Sequence, residues 1–324
     1  MCQKLEVQVA MNKPKSDSVS NTEGWKTINW RKAEKYIFKL QKRIYAASRC
    51  GDVKRLRKLQ KTLMRSWSNR ILAVRRVTVE NQGKKTAGVD GIKSLSPAAR
   101  LKLAGRLKLT GKSKPTRRIW IPKHGSNAKR PISKPTIESI ALHAVVTAVL
   151  SPEWDALFEQ GSYGFRPGRS CQDAIKHIKI CILTKAKYVL DADVAKCFDC
   201  INHNELLRKV NTIQSLRRQI KAWLKSGVID KGVFTATSSG APQGGVLSPL
   251  LANIALHGLE TVVKDYVENL TFKKLSRREK RRSIGVIRYA DDFVLLHENK
   301  SVISECMAVI SEWLAGIGLQ LKPS

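Results

Sequence analysis

The stretch IRYADDFVLL, residues Ile287–Leu296, places two adjacent carboxylates in the middle of an otherwise apolar run. The apolar residues on either side of Asp291 and Asp292 predict a β-hairpin with the two charges at its tip. An ionised carboxylate is costly to bury unless it is paired or binds a metal ion. The stretch therefore predicts a strand-turn-strand unit that presents carboxylates to a cation.

A second apolar strand, YVLDADV at residues 188–194, also ends in carboxylates, Asp191 and Asp193. Pairing of the two strands in one sheet would bring a carboxylate of each close to the other, and such like charges repel unless a cation neutralises them. Oxygen ligands favour Mg²⁺. Two metal ions about 3.5–4 Å apart support phosphoryl transfer in polymerases and nucleases, so the pattern points to one of these classes.

The charge of the chain predicts a polyanionic partner. Among 324 residues, 42% are hydrophobic, which is enough for a sizeable core, and 60 Lys and Arg against 26 Asp and Glu give a formal charge of +34. Nucleic acid is the expected partner, for an enzyme and for a non-catalytic binding protein alike. No apolar run approaches the roughly 20 residues of a membrane span, and no secretory leader is visible. We therefore expect no membrane contact and a cytoplasmic location, in a bacterial or organellar interior.

The cysteines do not predict a disulfide framework. There are seven, an odd number, and they are scattered along the chain. Cys197 and Cys200 form one C-x-x-C without a second pair nearby. We expect reduced thiols rather than a zinc or redox site.

Local patterns predict an α+β protein in which basic helices come first. Residues 1–24 lack periodicity and are expected to form a disordered tail. One amphipathic helix ends at Gly51, and a second begins at Asp52 and continues through Val74, with basic faces that are either solvated or in contact with RNA. Further helices are predicted over residues 137–150, 171–183, 216–225 and 303–314, and one long helix is predicted from Gly245. Strands are predicted over residues 117–123, 188–194 and 284–297. Residues 273–282 are expected to form a basic loop near nucleic acid.

Five motifs, in order and spacing, resemble the reverse transcriptase of a group II intron-encoded protein. The two N-terminal helices and the GVDG turn at residues 88–91 are similar to the first parts of that family. The five motifs are SYGFRPGRS (162–170), DADVAKCFDCINH (191–203), APQGGVLSPLLANIALH (241–257), YADD (289–292) and GLQLKPS (318–324).

The resemblance implies a right-hand polymerase fold with fingers and an antiparallel palm sheet. It divides the chain into an N-terminal helical extension at 25–85, fingers at 86–186 and a palm at 187–324, while the family's thumb, maturase and endonuclease regions have no counterpart. It also implies an RNA-directed DNA polymerase that uses two Mg²⁺ ions and dNTPs, an intron RNA template and a DNA primer or target, with a role in intron splicing and mobility. Two alternatives stay open: a catalytically weak or inactive RNA-binding maturase fragment, and a related CRISPR-associated or retron-type transcriptase.

The resemblance also assigns the catalytic carboxylates. Asp193 and Asp291 match the metal-binding aspartates, Asp292 completes the motif in a supporting role, and the backbone carbonyl of Val194 matches a further metal ligand. From the residues alone, Asp191 is the rival of Asp193, and the D-x-x-x-x-F-D spacing of the motif selects Asp193.

Nucleotide contacts follow from the same motifs. Phe198 matches the steric gate, whose ring would clash with a 2′-hydroxyl and so select deoxynucleotides. Gln243 and Gly244 resemble residues that contact the incoming nucleotide. The triphosphate is expected to meet three basic fingers residues, with Arg118 as an alternative to the first: Arg117, Lys123 and Arg130.

Other motif residues receive less definite interpretations. Arg166 is either structural or in contact with the template, and His203 and His257 are expected to form hydrogen bonds rather than to catalyse. The block RPISKPTIES (130–139) departs from the family, with Lys134 in place of an apolar residue and Ser139-Ile140 in place of an Asp-Arg pair.

Overall fold

The computed structural model describes residues 24–81, 86–122, 125, 129–183, 185–241, 244–271 and 275–322. The described residues form helices and two four-stranded sheets, which confirms the α+β class. The expected tail lies outside the described residues except for Gly24. The helices are α1 (Trp30–Arg49), α2 (Val53–Arg65), α3 (Trp67–Arg75) with a π-helical turn (Arg76–Glu80), α4 (Pro97–Arg106), α5 (Ile137–Leu157), α6 (Cys171–Ile182), α7 (Cys197–Cys200), α8 (His203–Val210), α9 (Gln214–Leu224), α10 (Ser248–Leu256), α11 (Leu259–Asn269), α12 (Arg277–Ser283) and α13 (Lys300–Gly316). The strands are β1 (Thr116–Pro122), β2 (Lys129–Lys134), β3 (Tyr188–Ala195), β4 (Val228–Asp230), β5 (Val233–Thr235), β6 (Gly285–Tyr289), β7 (Asp292–His297) and β8 (Gln320–Leu321).

The palm sheet has the strand order β6-β7-β3-β8, and all of its neighbouring strands are antiparallel. The predicted hairpin is present as β6 and β7, and β3 pairs with β7 as expected. Helix α6 packs against β6, while α13 packs against β7, β3 and β8. These helices pack against the sheet, and the aspartates lie at one end of its strands.

The fingers sheet has the order β2-β1-β4-β5. β1 and β2 form the expected antiparallel hairpin, in which Arg117 lies opposite Lys134 and Ile121 opposite Arg130. β4 joins β1 in parallel and continues into β5. The sequence patterns missed β4 and β5 because strands of three residues are too short to show an alternation.

The first two helices begin at side-chain caps. The side chain of Asn29 accepts a hydrogen bond from Lys32, and that of Asp52 accepts one from Arg55. Gly51 follows α1 with a left-handed φ of 70°, as the sequence predicted. The prediction of one helix from Asp52 through Val74 is wrong, because Ser66 adopts extended backbone angles and its side chain caps a separate α3.

Helix α5 lies at the centre of the core. It is apolar on nearly all sides, with eleven buried residues, and packs against α1, α2, α3 and α10. A helix that is hydrophobic all round must be enclosed by others. The N-terminal helices therefore pack directly on the element that separates the fingers hairpin from the palm in the sequence.

Two predictions in the palm are wrong. The long helix expected from Gly245 is interrupted after Leu256, because Gly258 has a φ of 106° and the Glu159 carboxylate accepts hydrogen bonds from the backbone of Gly258 and Thr261. The basic run expected to be a loop contains α12, which begins with a capping box between Ser276 and Glu279.

Candidate active site

Three aspartates converge at one end of the palm sheet. Asp193 on β3 lies directly opposite Asp292 on β7. Asp291 occupies the turn between β6 and β7, and its backbone carbonyl accepts a hydrogen bond from the N–H of Val194 at 3.4 Å. Ala290, in the same turn, has a left-handed φ of 60°. The structure thus brings together the two carboxylate-bearing segments that the sequence singled out.

The aspartates affect one another electrostatically. Burial raises the pKa of Asp291, and the negative charge of Asp193 raises it further. Burial also raises the pKa of Asp292, and the charges of Asp291, Asp193 and Asp191 act in the same direction. Full ionisation of all three aspartates at this end of the sheet is therefore unfavourable unless nearby positive charge offsets their repulsion.

The donor set fits a hard divalent cation. Within the described ranges, no group of three His, Cys, Asp or Glu side chains is close enough to hold a metal ion unaided. Mg²⁺ commonly binds through one or two carboxylates and takes its other ligands from water and substrate phosphates. Asp193 and Asp291 offer such a pair, since they are close enough for one charge to raise the pKa of the other.

One lysine contacts the carboxylates directly. The Nζ of Lys322, just after β8, lies 3.7 Å from Oδ2 of Asp193, and the N–H of Lys322 donates to the carbonyl of Asp193 at 2.8 Å. Its charge also lowers the pKa of Asp292. The ammonium is largely exposed, so the ion pair is weak. The GLQLKPS motif was recognised in the sequence, but no role was predicted for Lys322.

A cavity of about 670 Å³ opens beside Asp291. Its lining joins Asp291 of the palm turn with Arg130 and Ile132 of the fingers, Phe198 after β3, and Gly244. The volume lies within the range of about 300–1,000 Å³ that is usual for small-molecule sites. Four of the residue assignments made from sequence therefore meet around one space: Asp291, Phe198, Gly244 and Arg130.

The two sides of this cavity are held at close range by a glycine. Gly244 has a φ of 98°, and a Cβ at this position would lie 2.6 Å from Cγ2 of Ile132 and 3.0 Å from the carbonyl of Ser133. Only glycine combines this backbone angle with this approach. Gln243 lies outside the described residues.

The basic fingers residues divide between two places. Arg130 lines the cavity, and its charge lowers the pKa of Asp291. Arg117 instead borders a separate cavity on the fingers sheet, together with Arg118 and Trp120, and is not among the residues that line the cavity beside Asp291. Lys123 lies outside the described residues. Among the described members of this group, Arg130 is the one that lines the cavity beside Asp291.

A buried arginine that sequence reasoning missed supports the turn of Asp291. Arg288, on β6, donates hydrogen bonds to the carbonyl of Ala290 at 2.7 Å, to Oδ1 of Asn253 at 2.9 Å and to Oγ of Ser162 at 2.7 Å. Burial lowers its pKa to about 10. The signal was available, because an arginine inside the apolar run GVIRY is as anomalous as the aspartates that follow it.

The loop SYGFRPGRS packs behind the same turn. A Cβ at Gly164 would overlap the backbone of Ala290, so the loop and the turn are in direct contact. Asn253 donates a hydrogen bond to the carbonyl of Gly164 at 2.7 Å. Arg166 is buried and donates to the Asp155 carboxylate and to the carbonyl of Ser162. Of the two interpretations left open for Arg166, these contacts favour the structural one.

The remaining candidate residues form local contacts. Nε2 of His203 is 2.7 Å from the carbonyl of Gly240, and Nδ1 of His257 is 3.9 Å from the Glu159 carboxylate. Both cysteines of the C-x-x-C are free thiols, and burial raises the pKa of Cys197 to about 12. A thiol with so high a pKa is unreactive at neutral pH.

A basic and aromatic cavity lies on the N-terminal helices. It has a volume of about 540 Å³ and is lined by the side chains of α1 and α2 and the start of α3. Three cations and two aromatic rings surround it: Lys58, Lys61, Arg65, Tyr36 and Trp67.

Within the described chain, no helix has the length and hydropathy required to cross a membrane.

Comparisons with known proteins find matches along most of the chain. Residues 25–107 match the N-terminal domain of reverse transcriptase, and residues 121–324 match reverse transcriptase (RNA-dependent DNA polymerase). Protein YkfC of Escherichia coli is 31% identical over 275 residues, covering 72% of this chain and 71% of its own length. The group II intron-encoded protein LtrA of Lactococcus lactis is 39% identical over 152 residues, which are 46% of this chain and 25% of LtrA. A putative COX1/OXI3 intron 1 protein of Saccharomyces cerevisiae is 30% identical, over 51% of this chain and 21% of its own length.

Proposed function

This chain belongs to the reverse transcriptase family of group II intron type, and on that premise we propose that it carries the RNA-directed DNA polymerase centre of an intron-encoded protein. The observation that carries the proposal is the pairing of Asp193 with Asp292 beside the turn of Asp291, at the edge of a cavity that also holds Phe198. A protein that only binds RNA has no need for these residues in one place.

In the proposed reaction, a primer 3′-oxygen joins the α-phosphate of a dNTP and pyrophosphate leaves. Asp193, Asp291 and the carbonyl of Val194 would hold two Mg²⁺ ions, which supply charge for activating the attacking oxygen and stabilising the leaving one. Asp292 supports them, since it adds negative charge without lying in the cavity beside Asp291. Lys322 adds positive charge beside Asp193 and so offsets part of the repulsion among the carboxylates.

The cavity residues would select and position the nucleotide. Arg130 is the cation best placed for the triphosphate, because it lines the cavity and its charge lowers the pKa of Asp291. Phe198 would exclude a 2′-hydroxyl, and Gly244 lets the backbone approach the nucleotide. Gln243, Lys123 and Arg117 keep their proposed nucleotide roles from the resemblance.

A second candidate function is intron RNA binding by the N-terminal helices, as in a maturase. The observation that favours it is the cavity in which Lys58, Lys61 and Arg65 surround Tyr36 and Trp67, a combination suited to phosphates and stacked bases. We propose that this surface holds template or intron RNA while the palm carries the chemistry. The same proposal includes a DNA primer or target as a partner and a bacterial or organellar interior as the location. It also includes the division of the chain into an N-terminal extension, fingers and palm at residues 25–85, 86–186 and 187–324.

Primer extension on an RNA template with Mg²⁺ and dNTPs tests the polymerase assignment. We expect extension by the wild-type chain and a loss of at least 100-fold, on the order of a removed catalytic group, in Asp291→Ala and Asp193→Asn. Asp191→Asn is the matched control, because it removes a neighbouring carboxylate of the same strand and should retain most of the activity. Equal loss in Asp191→Asn and Asp193→Asn would contradict the assignment of Asp193. Salt-sensitive RNA binding without any extension would favour the binding function instead.

A further inference from the structure

Phe165 is an exposed aromatic residue held in a strained backbone conformation. It has a left-handed φ of 57°, yet its side chain is 51% exposed. A bulky residue with such a φ is an outlier, and strain of this kind persists where the surroundings impose it. Burial of the ring in a core does not explain the strain, because half of the side chain faces solvent.

The residues on either side of Phe165 fix its backbone. Gly164 touches the backbone of Ala290, and its carbonyl accepts a hydrogen bond from Asn253. Arg166 is anchored by the Asp155 carboxylate at 2.9 Å. Phe165 therefore projects from a segment that is fastened on one side to the catalytic turn and on the other side to a buried ion pair.

The ring of Phe165 meets the ring of Phe198. Their centroids are 6.4 Å apart with an angle of 70° between the planes, which is an edge-to-face contact. Both rings line the cavity that contains Asp291 and Arg130. Phe165 also borders a neighbouring cavity of about 830 Å³ between the N-terminal helices and α5. It therefore lies between this cavity and the cavity beside Asp291.

The backbone of Phe198 is held independently. Its carbonyl accepts a hydrogen bond from the N–H of Ala241 at 2.6 Å, and Phe198 itself lies within the short helix α7. Part of the Phe198 side chain packs against the hydrophobic core, and the edge of Phe165 supplies an aromatic contact where both rings line the cavity. Phe165 is therefore placed to limit movement of the Phe198 ring at the cavity.

We propose that Phe165 is a positioning residue for sugar selection: its ring holds the ring of Phe198 against the place of the nucleotide 2′-carbon. The inference rests on the proposed polymerase function and extends it by a second specificity-determining residue. Phe165 acts through Phe198, so its contribution should disappear when Phe198 is absent. The strained φ is the cost of placing the ring at this point.

The test uses Phe165→Gly, since glycine adopts a φ of 57° without strain and keeps the path between Gly164 and Arg166. The measured quantity is the ratio of incorporation efficiencies (kcat/KM) for a dNTP and the matching rNTP. We expect the ratio to fall about three- to tenfold, the size of one aromatic pair contact, with KM for the primer-template unchanged. In a Phe198→Ala background, Phe165→Gly should cause no further fall. Phe234→Ala, which removes a ring of similar exposure on the fingers sheet, is the control and should leave the ratio unchanged.

A second measurement does not depend on catalysis. The chain has seven phenylalanines, so 4-fluorophenylalanine labelling gives a small ¹⁹F spectrum in which Phe198→Leu identifies the resonance of Phe198. We expect Phe165→Gly to shift and narrow that resonance because the ring gains motion. An unshifted Phe198 resonance, or an unchanged selectivity in Phe165→Gly where Phe198→Ala lowers it, would overturn the inference and leave the polymerase assignment standing. Absence of extension by the wild type would overturn the polymerase assignment and sugar selection with it, whereas the ¹⁹F comparison would still show whether Phe165 holds the ring of Phe198.

Discussion

Removal of the Asn253 side chain should destabilise the fold and disturb the catalytic turn together. Asn253 is 1% exposed, accepts a hydrogen bond from Arg288 at 2.9 Å and donates one to the carbonyl of Gly164 at 2.7 Å. A hydrogen bond to a charged group contributes about 1.5–3 kcal/mol, and a buried carbonyl left without a partner costs about 1–3 kcal/mol. For Asn253→Ala we therefore expect the free energy of unfolding to fall by about 2.5–6 kcal/mol.

Denaturant unfolding followed by circular dichroism measures this loss, and primer extension at a temperature where the variant is folded measures the effect on the turn. Asn204→Ala is the matched control, because Asn204 is exposed and its side chain forms no such link between segments. Asn253→Asp separates the two contacts, since a carboxylate still accepts from Arg288 but cannot donate to Gly164. A change of less than about 1 kcal/mol in Asn253→Ala, equal to that of the control, would refute the account of the network.

Two further predictions concern the same turn. Gly164→Ala should lower extension more than tenfold, because the added Cβ overlaps the backbone of Ala290, whereas Gly105→Ala, in an open position of α4, should leave extension unchanged; equal activity of the two variants would contradict the packing. The raised pKa values of Asp291 and Asp292 favour their protonated forms in the fold, so without divalent cations the stability that they contribute is present below the ordinary carboxyl value near 3.8 and is lost as the pH rises through the raised values. Thermal unfolding across pH 3.5–7 should show this decline, Asp291→Asn should reduce it, and Mg²⁺ should oppose it; a decline that is identical in the variant would place its origin elsewhere.

The elements that sequence predicted well are those whose signals are local. Helices α1 and α2 each carry a cap residue, an apolar stripe and a basic face within one segment, and α1 is followed by the predicted glycine. The hairpin of β6 and β7 is likewise contained in one continuous segment, Gly285–His297, with an apolar run on each side of a single turn. Such segments need no knowledge of the rest of the chain.

The wrong prediction of one long helix in the palm arose where a distant residue decides the local structure. The apolar run after Gly245 is compatible with one long helix, and the break at Gly258 is stabilised by Glu159, 99 residues earlier in the chain. The apolar periodicity of a segment carries no information about a carboxylate that a distant loop supplies. The short strands β4 and β5 were missed for a related reason, since they exist through pairing with β1.

For the site, the acidic residues were predictable and their support was not. Asp193 and Asp291 stand out because charge at the end of an apolar strand is anomalous, and the shared motif supplied Phe198 and Gly244. The placement of Arg117 depends on the curvature and pairing of the fingers sheet, which spacing in the sequence does not encode.

The buried network of Arg288 explains how the position of Asp291 is specified. Its partners come from three separate segments: Ser162 from the loop before α6, Asn253 from α10 and Ala290 from the turn itself. Apolar packing at this point would stabilise the fold equally well but would tolerate small shifts, whereas directed hydrogen bonds to a buried guanidinium are strongly weakened by them. The turn of Asp291 can therefore take its observed conformation only when all three segments are in place, which couples the carboxylates to the packing of these segments.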